Sequence, residues 1–231
     1  MADGTAAAGS HGGDTAHGRL GWTFGLVADD PSVRAAALAR LRAARRDART
    51  AQLRANELWH LTLPLGHEEQ YREPAFRQAR EENEAARGRL LPDALWVADS
   101  ERGPLLPYEL LFIEWEARFP AEWTEHAKAW GTKEAIVRRM AALDHDPSTR
   151  ARLVDIVDLV VRRAYRCKDR AYVGVARAVD GPDLRGRLDA AAASDEPWAR
   201  RHAGYVLRML DRPELPNTRR VWRAWVAGQP V

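Results

Sequence analysis

The stretch Asp146-Pro147-Ser148-Thr149-Arg150 reads as the opening of a helix, and its chemistry occurs twice more in the chain. Asp30-Pro31-Ser32-Val33-Arg34 repeats it closely, and Glu196-Pro197-Trp198-Ala199-Arg200 repeats it with glutamate in front. In each, an acid that accepts backbone N–H bonds at the positive helix end precedes a proline. Proline suits the first helical position, where its missing donor would have no partner anyway. An arginine follows after two further residues. Three and seven residues past the arginines stand Ala37 and Leu41, Leu153 and Val157, and Ala203 and Leu207. Those offsets lay an apolar stripe beside each arginine stem. Asn217-Thr218-Arg219 is a weaker fourth start without the proline.

Working outward, the chain continues in helical spacing. Pro31 to about Trp59 is rich in Ala, Arg and Leu and predicts one long helix, or two split near Asp47. Pro64 and Gly66 stop it, and Glu68–Leu90 predicts a second charged helical stretch. Ala94–Val97, between Pro92 and Gly103, is the best candidate for an extended element. Pro107–Arg118 predicts a short apolar helix, followed by helices at 121–130, 133–143, 147–166, 169–179, 183–193, 197–211 and 217–227. No segment sustains period-two alternation, so the predicted fold is all-α. The expected organisation is a disordered tail at 1–20, an irregular helical region at 21–119 and a repeat array at 120–231.

Composition narrows the class. The 231 residues are 45% apolar and 30% charged, enough to fill a core. No uncharged apolar run reaches the roughly 18–20 residues that cross a bilayer. One cysteine, Cys167, excludes an intrachain disulfide, and with no apolar leader a cytoplasmic location is expected. Cys167 is flanked by Arg166 and Lys168, which would favour a thiolate; a partly buried structural thiol is the expectation. The 36 basic residues include only three lysines, and against 33 acids they leave a net charge of +3. Arginines stand three or four residues from acids in Arg80–Glu84, Asp158–Arg162 and Arg185–Asp189, so much of the positive charge is expected in helix-surface ion pairs.

The recurring helix start resembles the HEAT repeat family, whose helix pairs carry Asp or Pro in the turn and open the second helix with Val-Arg or a variant. The resemblance covers the start of the chain and, more continuously, about 120–228. It implies an α-solenoid, irregular in its N-terminal half, with Arg34, Arg150 and Arg200 pairing with acids of neighbouring repeats. Helix pairs that bury their faces only by stacking leave an extended concave surface, which suits a macromolecular partner. A protein partner is expected, with Arg150, Trp198, Arg201, Tyr205 and Trp222 as binding residues and no catalysis.

A second resemblance supplies the alternative. Ser194-Asp195-Glu196-Pro197-Trp198-Ala199-Arg200-Arg201 is similar to a helix start in the HEAT-like alkylpurine DNA glycosylases. Tyr205 stands where a later helix of that family usually has tryptophan. That likeness implies nucleic acid as ligand, Arg201 on phosphate, and Asp155 or Asp158 as the acid. Arginine and tryptophan would then supply phosphate contact and stacking. His67-Glu68 and Glu125-His126 set a histidine beside a carboxylate, as in the His-Glu pairs of di-iron HEAT hydroxylases, and Asp144-His145-Asp146 sets one between two carboxylates. Adjacent residues on a helix face different ways, so no metal and no cofactor is expected. No phosphate loop or nucleophile elbow is present either.

Overall fold

The computed structural model describes residues 16–96 and 105–229, and within them the chain is all-α. Twelve α-helices run in order: α1 (Ala16–Leu20), α2 (Pro31–Thr62), α3 (His67–Arg72), α4 (Pro74–Arg87), α5 (Leu106–Arg118) and α6 (Pro120–His126). They continue as α7 (Trp130–Met140), α8 (Pro147–Arg162), α9 (Tyr172–Ala178), α10 (Pro182–Ala192), α11 (Pro197–Asp211) and α12 (Arg219–Val226). None is long and apolar enough to cross a membrane.

The three matching starts all form helices with proline in the first turn. Asp30 accepts the Ser32 N–H at 2.8 Å, and Asp146 accepts those of Ser148 and Thr149 at 2.9 and 3.0 Å. These bonds hold both carboxylates below their ordinary pKa, the hydroxyls of Ser32 and Thr149 contributing most. Glu196 makes no such bond. The stripe predicted beside the arginines is buried at Ala37, Leu41, Leu153, Val157 and Ala203, and half-buried at Leu207.

Several expectations are corrected. Residues 1–15 lie outside those described, but Ala16–Leu20, read as tail, is helical, and Leu20 is fully buried. Of the two readings of 31–59, the single long helix holds, and α2 passes Asp47 unbroken because nothing there interrupts its Ala-rich run. The helix predicted over 68–90 divides at Glu73, since Pro74 lacks the N–H that an uninterrupted helix would use. Asp93–Leu95 is a single 3-10 turn, not an extended element, and Val97 lies outside the described residues.

α5 is the central helix. Tyr108–Phe112, Ile113 and Trp115–Ala117 are buried around its whole circumference, and Trp123 of α6 packs beside Phe112. α5 meets α6, α7 and α8; α8 meets α9, α10 and α11; α11 meets α9, α10 and α12. At about 1.5 Å per residue, α2 extends about 48 Å. Its second half forms an arm with α4, burying Ala48 and Ala55 near Phe76 and Ala79.

Candidate functional site

Beneath the surface of the C-terminal region lies a buried ion cluster. Lys133 projects from α7 with no exposed surface, its Nζ 2.9 Å from Glu116 Oε2 and 2.6 Å from Asp169 Oδ1. Arg163 bridges the same two carboxylates at 2.8 Å each, and Arg166 Nε lies 2.7 Å from Glu116 Oε1. Asp169 Oδ2 also accepts the Arg166 backbone N–H at 2.7 Å. Burial at this depth requires charges to be paired, and here three cations neutralise two acids. The cluster ties α5, α7 and the end of α8 to the segment 163–169. Lys168 within it takes left-handed backbone at φ +70°.

That anchored segment forms one wall of a cleft of about 670 Å³. Tyr165, Cys167 and Lys168 come from it and Arg170 from its continuation to 171, Glu134 and Arg138 from α7, and Arg219, Trp222 and Arg223 from α12. The lining therefore holds five cations against one carboxylate. Glu134 is bound by Lys168 at 2.6 Å and Arg138 at 2.7 Å. Its pKa is held below the ordinary value, first by the Lys168 bond, with Arg138 and Arg170 adding to it. Arg219 and Arg223 are exposed and have no carboxylate partner among the described residues. The Tyr165 and Trp222 rings stack at 5.0 Å and 18°.

α12 closes this side by polar clasps and rings. Thr218 caps it through the Val221 N–H, and Arg170 donates to the Asn217 carbonyl while Asn217 Nδ2 donates back to the Arg170 carbonyl. Trp225 Nε1 donates to the Arg201 carbonyl at 2.9 Å. Gly204 lets the indole approach: a Cβ there would stand 3.2 Å from Trp225. Behind the Tyr165–Trp222 stack, His202 is 5% exposed and Tyr172 2%, and neither His202 Nε2 nor the Tyr172 hydroxyl has a hydrogen-bond partner among the described residues. Burial lowers the His202 pKa to about 4.

The structure gathers four of the five expected binding residues at α11 and α12. Trp222 lines the cleft, Tyr205 meets it edge-on at 4.8 Å, and Arg201 lies over the Trp198 ring at 5.7 Å. Arg150 is elsewhere, donating to the Ala178 carbonyl at the end of α9. The arginines expected to pair with acids across repeats mostly bind carbonyls: Arg150 takes Ala178, Arg200 takes Ser194 and Asp195, and only Arg34 adds a carboxylate, Glu122, to its bond with Ala28. Asp155 and Asp158 are ion-paired with Arg187 and Arg162 at 2.6 and 2.7 Å; Asp155 lines a cavity with Glu114 and Arg152, and Arg201 lines another with Trp225. Arg185 pairs with Asp180 and Asp211, not with Asp189.

Cys167, expected to be partly buried, is exposed in the cleft. His145 binds the Met140 carbonyl and Asp146 caps α8, while His67 packs on Tyr71 and buried His126 faces Arg42. No three His, Cys, Asp or Glu side chains among the described residues converge as metal ligands. Sequence reasoning missed Lys133, Glu116, Arg163, Asp169, Tyr165, Arg170 and Arg223. One signal existed: Lys133 precedes Ile136 and Val137 by three and four residues, on the buried face of α7.

Fold and site together define an all-α chain with a cationic, aromatic-walled cleft. The chain matches no family model, and no curated protein and no solved structure matches it.

Proposed function

We propose that this chain is a non-enzymatic binding protein whose ligand is nucleic acid, held by its phosphates in the cleft between α7, the 163–171 segment and α12. The observation that carries the reading is a lining of five cations and one carboxylate, with no carboxylate among the described residues pairing with Arg219 or Arg223, and with Tyr165 and Trp222 beside them. Cations that lack protein partners release counterions when they meet phosphate, and aromatic faces accept bases. The volume of about 670 Å³ lies in the range of ligand sites. Asp155 and Asp158, the acids of the glycosylase reading, are both ion-paired, which favours binding without excision. We also read α5 to α11 as a HEAT-like stack, because these helices pack on helices one to three places away in the chain, with α5 also meeting the turn at Gly21–Val27.

A labelled oligonucleotide titrated at low salt tests the ligand. We expect binding, weakened about tenfold in Arg219→Ala/Arg223→Ala. Absence of binding at low salt, or equal affinity in the double variant, would overturn the proposal.

A protein-binding scaffold is the second reading, and one observation favours it. At the arm's tip Leu61, Leu63 and Leu65 are 67%, 50% and 45% exposed beside half-exposed Tyr71. Clustered exposed apolar side chains of this kind suit a protein surface.

A further inference from the structure

We infer that the ligand is single-stranded, and that its path runs out of the cleft along α12 to a second subsite made by Trp198, Arg201 and Trp225. The inference rests on the cleft reading above and names the form of nucleic acid that the wider surface fits.

A depression of about 500 Å³ lies against the C-terminal end of α12, walled by Arg200, Arg201, Trp225 and Val226. Among the described residues no carboxylate lines it, and neither arginine has a carboxylate partner. Arg200 donates to the Ser194 and Asp195 carbonyls rather than to a carboxylate. Trp198 stands nearby, 46% exposed, with the Arg201 guanidinium over its ring. Cation and indole thus offer a phosphate contact and a stacking face side by side.

The two depressions are connected by rings and by charge. Trp222 in the cleft lies 5.4 Å from the His202 ring, and His202 lies 5.8 Å from Trp198. Arg219 and Arg223 line the cleft on α12, Arg220 stands exposed beside them, and Trp225 and Val226 carry the same helix on into the second depression. Aromatic faces at separate points along a basic track suit a strand whose bases are unstacked and turned outward. A duplex keeps its bases stacked inside and would leave Trp198 without a partner.

Oligothymidylates of about four and about twelve nucleotides, with a hairpin duplex as comparator, separate the possibilities. Trp198→Ala is suited to the test because the indole is half in solvent, and Arg201→Ala is the second variant. We expect the longer strand to lose about fivefold or more in affinity in either variant, while the shorter strand keeps its affinity within about twofold. The duplex should bind more weakly than the longer strand. Unchanged affinity of Trp198→Ala and Arg201→Ala for the longer strand, with Arg219→Ala/Arg223→Ala still weakened, would remove the second subsite and leave the cleft standing. A duplex bound as tightly as the longer strand would overturn the single-stranded assignment. An unweakened Arg219→Ala/Arg223→Ala with the shorter strand would instead remove the cleft reading.

Discussion

Lys133 shows how the site is held from below. Its ammonium is sealed between Glu116 and Asp169 and lies 5.5 Å from the Tyr172 ring centroid. Lys133→Met keeps the volume but takes from Glu116 and Asp169 the one cation wholly buried with them, leaving Arg163 and Arg166 to balance both, and we expect a loss of about 3–5 kcal/mol in urea unfolding. A loss under about 1 kcal/mol would show that Arg163 and Arg166 suffice. His202 makes a second residue-scale prediction. Its pKa is about 4 when folded and near 6.5 when unfolded, so the unfolded chain binds more protons between those values. Stability from this residue is therefore complete above pH 6.5 and declines as pH falls toward 4. Asp169 opposes the shift, and Arg163 and Arg201 reinforce it. Unfolding measured at pH 7 and pH 5 should show this decline in the native chain and a smaller one in His202→Phe. Little of this was legible in the sequence. The ion cluster joins Glu116, Lys133, Arg163 and Asp169 across three helices and a loop, whereas spacing rules see only partners three or four residues apart. Arg80–Glu84 and Asp158–Arg162 form as spacing predicts, but Arg185 finds Asp211 on the neighbouring helix α11.

At the scale of elements the sequence was more informative, because a helix start is local chemistry. Acid, proline and arginine mark α2, α8 and α11, and all three form where they are written. The caps differ, however. Asp146→Ala should cost about 1 kcal/mol, since two backbone N–H groups lose their acceptor. Glu196→Ala should cost a few tenths at most, because Glu196 caps nothing. Thermal unfolding of the two variants checks the contrast, and equal losses would mean that the signature has no single physical meaning. The arginine of the signature was misread for an equally local reason. Helix ends leave carbonyls without partners, and Arg150 meets one from α9 that no sequence pattern announces.

Over the whole molecule, a net charge of +3 conceals an uneven distribution. On α8 and α10, Asp155, Asp158 and Asp183 pair with Arg162 and Arg187, giving a face of mixed charge. Around α12, Arg219, Arg220 and Arg223 have no carboxylate partner among the described residues, and two of them face the cleft. All-α class and helix order were legible from composition and spacing. The cleft was not, because α7, the 163–171 segment and α12 meet only in the folded chain. The most direct measurement is the salt dependence of oligonucleotide affinity between 50 and 200 mM. Three to five phosphate contacts give a slope of log K against log salt of about −2 to −3.5, and Arg219→Ala/Arg223→Ala should make it shallower by about 1.4. A slope near zero, or one that the double variant leaves unchanged, would contradict binding through this cleft.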